Sequence, residues 1–140
     1  SLNEDMQEIP EVDWKKIYAL IKKKLEINPQ AVFVSNWNDH TVWYLGEGRL
    51  DYILRQKGPA AAGLEREPLS RALYLEDQTS LEQVTKKYKR GLVLLESWDD
   101  RVPQDAREYI RGNFKKELEV DRLYPVQPRF WPVEVYSWGI

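Results

Sequence analysis

The 140-residue sequence predicts an α/β fold: a three-layer, Rossmann-like arrangement with a mostly parallel sheet and an antiparallel C-terminal strand pair. Short apolar and β-branched segments alternate with segments whose apolar residues recur at helical spacing, which is typical of parallel strands joined by right-handed crossovers. The last two predicted strands have no helix between them, so we expect that pair to be antiparallel. We expect the strand order 3-2-1-4, with the final pair beyond strand four.

A capped helix and a buried strand open the predicted domain. Residues 1–12 are acidic and polar, and we expect them to be a flexible linker that precedes a single domain over residues 13–140. Asp13 caps a helix over residues 14–27, whose apolar side chains fall on one stripe. The β-branched and aromatic residues 31–34 suit a strand that is buried on both faces.

A polar turn and a short helix follow this strand. Ser35 and Asn36 are good helix N-caps, and Asp39 lies three residues after Asn36, where a carboxylate can reach back to free N–H groups. We therefore predict a helix over residues 37–45, ended by Gly46. Together these elements form the first half of a βαβ unit.

The rest of the chain continues the alternation of strands and helices, interrupted by two predicted loops. Residues 56–70 contain GPAAAG and Pro68, and residues 124–131 contain two prolines. We predict strands over residues 49–55, 72–75, 92–95, 116–122 and 133–138, and helices from Thr79 or Ser80 to about Tyr88 and from Pro103 to about Arg111.

Composition excludes several classes of function. The net charge is −2, so no strong field attracts nucleic acid, and we expect no nucleic-acid partner. The absence of cysteine excludes disulfides and zinc–thiolate sites, and the single histidine excludes a two-histidine metal site from this chain alone. We expect neither a metal nor any other cofactor. No apolar run approaches the ~20 residues that span a bilayer. Because the sequence begins with Ser1, we expect a fragment whose membrane segment lies upstream.

Two turns with similar side chains are the predicted site. Ligands of open α/β sheets bind beyond the carboxyl ends of strands where the strand order reverses, which here brings together residues 35–40 and 97–101. Each turn offers a hydroxyl, an indole and carboxylates, which suit a sugar or a small polar ligand. The alternative is that these residues are helix caps and packing groups. The candidate ligand-binding residues are Ser35, Asn36, Trp37, Asp39, His40, Trp98, Asp99 and Arg101.

No catalytic residue is assigned from the sequence. His40 beside Asp39 or Asp99 could act as the general base of a small hydrolase, whereas a capping or surface histidine explains the same residues. Asp39, Asp99 and Asp100 offer few ligands for a hard cation. The phosphate-cradling motifs G-x-G-x-x-G and G-x-x-x-x-G-K-[ST] are absent, and so is the nucleophile elbow G-x-S-x-G.

Two segments carry a resemblance to a known family. The sequence SNWNDHTVWYLGEGRLDYILR, with YLG at residues 44–46 and DYILR at residues 51–55, resembles the stretch after the last transmembrane helix of polytopic, polyprenyl-phosphate-sugar-dependent glycosyltransferases. These enzymes are relatives of the protein O-mannosyltransferases and the aminoarabinose transferases. The segment GLVLLESWDDRVPQDAREYIRGNFKKELEV and the closing VEVYSW are similar to the family's tail. The resemblance covers residues 14–138, and none of its motifs is a catalytic signature.

The resemblance implies a non-catalytic, extracytoplasmic C-terminal domain of a membrane glycosyltransferase. Such a domain would cover the active-site mouth and help to hold the acceptor or the lipid-phosphate-linked sugar. Its partner would be the membrane-embedded remainder of the same polypeptide, at the extracytoplasmic face of the cell membrane. The fragment alone would be inactive, because the family's catalytic acid lies in the membrane part. The alternatives are a free-standing α/β domain that binds a sugar or nucleotide, and the small hydrolase.

Overall fold

The computed structural model describes residues 12–120 and 132–140. These residues form helices on the two faces of one six-stranded sheet. The helices are α1 (Trp14–Ile27), α2 (Asp39–Leu45), α3 (Gln78–Lys87) and α4 (Gln104–Asn113), and the strands are β1 (Val32–Ser35), β2 (Tyr52–Leu54), β3 (Leu73–Leu75), β4 (Gly91–Glu96), β5 (Lys115–Val120) and β6 (Val133–Trp138).

The sheet has the strand order β3-β2-β1-β4-β6-β5, which confirms the predicted order. Strand β1 pairs in parallel with β2 and β4, and β2 pairs in parallel with β3. Strand β6 is antiparallel to both β4 and β5, as expected for the two strands that have no helix between them. The fold is therefore a mostly parallel α/β sheet with an antiparallel C-terminal pair.

Two apolar clusters cover the two faces of the sheet. Helix α1 packs Ile17 and Ile21 with Phe33 of β1 on one face. On the other face, Leu81 of α3 and Ile110 of α4 pack with alternate residues of the central strands. All residues of β1 and β4 are buried, so the continuous apolar sequence of these strands correctly predicted a central position.

The start of helix α2 differs from the prediction. The helix begins at Asp39 rather than at residue 37, and its N-cap, Asn38, makes no side-chain capping hydrogen bond. The predicted cap, Asn36, is fully buried and bonds to the end of β4 instead. The buried main-chain N–H and carbonyl of Glu96 need an acceptor and a donor, and the Asn36 amide supplies both. The predicted C-terminal cap, Gly46, is confirmed with φ = 93°.

Helix α3 also begins earlier than predicted. Its N-cap is Asp77, which forms a capping box with Ser80, so the predicted caps Thr79 and Ser80 already lie inside the helix.

The predicted boundaries at the two ends of the domain fall partly outside the described residues. The predicted linker lies there except for Val12, which is buried in the apolar cluster beside α1. The packed domain therefore begins at least one residue before the predicted start. The predicted loop over residues 124–131 and the last two residues of the predicted strand 116–122 also lie outside the described ranges.

A buried carboxylate joins the antiparallel strands to helix α4. Glu134 is 2% exposed, and its Oε1 accepts hydrogen bonds from Arg111 at 3.0 Å and from the Ser97 hydroxyl at 3.2 Å. Its Oε2 lies 3.4 Å from the Lys116 ammonium and accepts from the Tyr136 hydroxyl. Burial alone would raise the pKa of Glu134, but the hydrogen bonds from Tyr136 and Arg111 and the charges of Arg111 and Lys116 together lower it.

Substitution Glu134→Gln should therefore change how stability depends on pH. A carboxyl whose pKa is lower in the folded state contributes stability that is present above its unfolded pKa, and this contribution disappears as the pH falls through the folded pKa. We expect the variant to lose about 1–3 kcal/mol at pH 7, and we expect the difference from wild type to shrink below about pH 4. Urea unfolding at a series of pH values from about 7 to below about 4 measures both the loss at neutral pH and its decrease in acid.

The control for this prediction is Glu119→Gln, which removes an exposed carboxylate that pairs with the same Lys116. We expect it to change stability by no more than ~0.5 kcal/mol. If the difference in the free energy of unfolding between wild type and Glu134→Gln were the same at neutral and at acid pH, the assigned role of Glu134 would be wrong.

Candidate functional site

The two predicted turns meet at the carboxyl edge of the sheet. Strands β1 and β4 are parallel neighbours, and Ser35 lies beside Leu94 in the register. The segments that follow these two strands therefore leave the sheet at the same edge. From there the chain enters α2 on one face and α4 on the other. This is the point where the strand order reverses, which is where open α/β sheets most often bind their ligands.

Ser35 and Asn36 lie in the turn that follows β1. Both residues are fully buried, and the Ser35 hydroxyl accepts a hydrogen bond from the main-chain N–H of Trp37 at 3.2 Å. The Asn36 amide accepts from the main-chain N–H of Glu96 at 2.8 Å and donates to the carbonyl of Glu96 at 3.0 Å. Asn36 therefore fastens the two turns together and Ser35 braces its own turn, and neither side chain is exposed.

Asp99 orients Arg101. The Asp99 carboxylate is 2% exposed and accepts hydrogen bonds from the Arg101 side chain at 2.9 Å and 3.2 Å and from its main-chain N–H at 3.1 Å. Asn36 also donates to it at 3.4 Å, and Arg107 donates to the Asp99 carbonyl. Because its oxygens are engaged by these groups, Asp99 holds a guanidinium in place.

Two indoles and two guanidiniums form a cluster at the carboxyl edge. The rings of Trp37 and Trp98 pack edge to face, with their centroids 4.9 Å apart. The guanidinium of Arg101 lies 5.1 Å from the Trp37 centroid, and that of Arg55 lies 5.9 Å from it. Trp98 is 36% exposed, and its Nε1 donates to Glu96 at 3.1 Å, which fixes the ring. Trp98 therefore offers the more open apolar surface of the two.

His40 lies at one side of the same edge, but not beside the carboxylates that the sequence suggested. Its ring stacks on Trp14 with centroids 4.0 Å apart, and its Nδ1 lies 3.8 Å from Glu96 Oε2. Within the described ranges, neither of these two buried atoms has a hydrogen-bond partner. Asp39 is exposed and Asp99 pairs with Arg101, so Glu96 takes the position beside the imidazole that was predicted for one of them.

Three residues of this edge were missed by the sequence analysis. Glu96 is the last residue of an apolar strand, and Arg55 follows the last residue of β2, so both positions could have been found from the rule that ligands gather at carboxyl ends. Trp14 is the first residue of α1 and stacks on His40 at this edge. Its place in the apolar stripe of α1 indicates only a packing role.

The exposed groups of this edge have a chemistry that suits contacts with a ligand. An indole face and oriented guanidiniums suit the C–H face and the hydroxyl or phosphate oxygens of a ligand. In residues 12–120 and 132–140, no three His, Asp or Glu side chains are grouped so that they could hold a metal ion. None of the helices in these ranges is long and apolar enough to cross a membrane.

Comparisons with family models, curated proteins and solved structures find no match to this chain.

Proposed function

We propose that this chain is a non-catalytic, extracytoplasmic domain of a polyprenyl-phosphate-sugar-dependent membrane glycosyltransferase. Its role is to cover the active-site mouth and to hold the acceptor or the lipid-linked sugar at the carboxyl edge of its sheet. The membrane-embedded remainder of the same polypeptide is the partner. The sequence resemblance over residues 14–138 suggests this class, and the α/β fold is consistent with it.

The observation that carries the binding role is the fixed, open indole of Trp98 beside an oriented guanidinium. Trp98 is anchored through Glu96, and Arg101 is anchored through Asp99, so both groups are held in position before a ligand arrives. Such preorganisation reduces the entropy cost of binding. A sugar ring can stack on the indole while its hydroxyl or phosphate oxygens accept hydrogen bonds from Arg101.

The polar groups of this edge favour binding over catalysis. Ser35 and Asn36 are buried and engaged, and Asp99 neutralises Arg101. The His40 ring is stacked on Trp14, and its Nδ1 lies 3.8 Å from Glu96 Oε2. A hydrolase would need an activated nucleophile within reach of the imidazole, and none of the hydrogen bonds in the described ranges joins His40 to a hydroxyl.

A titration with simple sugars and polyprenyl-phosphate head-group mimics tests the binding role. We expect millimolar affinity, because few exposed hydrogen bonds form, with NMR shifts at the indole N–H signals of Trp37 and Trp98. Trp98→Ala should remove the response, whereas Trp43→Ala, which removes an indole that is 83% exposed on α2, should keep it. Shifts elsewhere only, or none, would contradict a binding role for this edge.

A transfer assay and the gene sequence test the rest of the proposal. With lipid-phosphate-linked sugar and acceptor present, the isolated chain should give no more product than a sample without protein. Turnover above that level would end the non-catalytic assignment. The gene sequence before Ser1 should encode several hydrophobic spans of ~20 residues, and a gene without them would rule out the membrane glycosyltransferase.

A further inference from the structure

We infer that the opposite, amino edge of the sheet carries a second binding site, which takes an organic phosphate with a planar apolar group. Two adjoining cavities lie there, of about 570 Å³ and about 260 Å³. They share Val32, Asp51 and Tyr88, so they form one continuous groove across the starts of β1, β2 and β3. We call it the amino-edge groove, and it does not depend on the proposed function.

Two arginines of the loop before β3 stand side by side in the smaller cavity. The Arg66 guanidinium donates to the carbonyl of Arg71 at 2.9 Å, and the turn between them is closed by a hydrogen bond from the Arg71 N–H to the Glu67 carbonyl at 2.8 Å. In the described part of the chain, neither guanidinium forms an ion pair. Two arginines that line one cavity and form no ion pair there favour the binding of an anion.

The backbone of Arg71 is in an unfavourable conformation. Its φ is 68°, and among the described residues it is the only one other than glycine with a positive φ. A bulky residue in this region costs about 1 kcal/mol or more, and such strain is found most often where a side chain must be placed for function. An asparagine or glycine would make the same turn at lower cost, so the arginine is not explained by the turn itself.

The carboxylates nearest to the arginine pair are already engaged. Glu67 is buried and accepts hydrogen bonds from the N–H and the hydroxyl of Ser70 at 2.7 Å and 2.8 Å. Asp51 accepts from the N–H of Phe33 at 2.8 Å and from Arg49 at 3.2 Å. In the described residues neither acid forms an ion pair with Arg66 or Arg71, so both guanidiniums can pair with a bound anion.

The larger cavity provides the apolar part of the site. Its volume is within the range of small-molecule pockets, and its lining includes the rings of Tyr44 and Tyr88 together with Leu25 and Leu45. Lys22 adds another cation at this end. A phosphoryl group has three oxygens that can accept hydrogen bonds from two guanidiniums, whereas a carboxylate has only two oxygens. We therefore assign a phosphate at the arginine pair and a planar ring in the larger cavity.

The experiment is an NMR titration of the full chain with phenyl phosphate and, separately, with inorganic phosphate. We expect saturable binding of phenyl phosphate in the millimolar range or tighter, with shifts at Gly48, Arg71 and Tyr44, and weaker binding of inorganic phosphate. Raising the salt concentration should weaken both, because the arginines are exposed. The indole signals of Trp37 and Trp98 should not move, which separates this site from the carboxyl edge.

The variant Arg71→Asn removes the guanidinium and keeps a residue that tolerates positive φ. It should weaken phenyl phosphate binding about tenfold or more, whereas Lys86→Gln, which removes an exposed cation of α3 outside the groove, should leave it unchanged. If Arg71→Asn unfolds, Arg71→Gly serves instead. Binding that is unaffected in the folded Arg71 variant, equal affinity for the two phosphates, or no binding in the millimolar range would overturn the assignment.

Discussion

Substitution Phe33→Ala should lower the free energy of unfolding by about 3–5 kcal/mol. Phe33 is fully buried in β1, a strand with parallel neighbours on both sides, and it belongs to the cluster that joins α1 to the sheet. The loss combines the transfer free energy of the ring with the cost of the cavity that it leaves. Its main-chain N–H, which donates to Asp51 at 2.8 Å, is retained in the variant, so the loss reports packing.

Chemical denaturation measures this loss, and Trp43→Ala is its matched control. Trp43 is a larger aromatic residue, but it is 83% exposed, so its removal should change stability by no more than ~0.5 kcal/mol. A loss below ~1 kcal/mol for Phe33→Ala would mean that β1 does not occupy the centre of the core.

The fold could be predicted because its information is local. The apolar runs around Phe33 and Val93 identify the central strands, and the Asp13 cap with a single apolar stripe gives the bounds of α1 as observed. The predicted second strand, residues 49–55, is too long, because β2 covers only Tyr52–Leu54. Asp51, which precedes β2, donates its main-chain N–H to the Phe33 carbonyl at 3.0 Å, but the Phe33 N–H donates to the Asp51 carboxylate at 2.8 Å, so a side chain supplies one of the two bonds between these residues.

The meeting of the two turns was predictable, but the hydrogen-bond partners of their residues were not. The strand order brings the two turns together, and the indoles of Trp37 and Trp98 do meet. Yet Asn36 and Ser35 read as helix caps, since the sequence cannot reveal a hydrogen-bond partner 60 residues away. Likewise, the sequence suggests that the Asp99 carboxylate could bind a ligand, whereas the structure shows that it forms an ion pair with Arg101.

Substitution Asn36→Ala should destabilise the chain by about 2–4 kcal/mol, although the residue lies in a turn. Its amide continues the pairing of β1 and β4 beyond the last ladder bond, by contacting both the N–H and the carbonyl of Glu96. Removal leaves two buried main-chain groups without this partner, and each costs about 1–3 kcal/mol. Urea unfolding measures the loss. Glu96 also anchors Trp98, so the Trp98 indole signal should shift in the variant.

Two further variants separate this bridge from other effects of the turn. Asn36→Asp keeps the size and the acceptor but loses the donor, and it brings a second carboxylate to the position 3.4 Å from Asp99. Because like charges repel at this distance, we expect a loss at least as large as for alanine at neutral pH. Asp39→Ala removes an exposed acid from the first turn of α2 and should cost no more than ~1 kcal/mol. If Asn36→Ala were no worse than Asp39→Ala, the hydrogen bonds from Asn36 to Glu96 would contribute little to holding the two strand ends together.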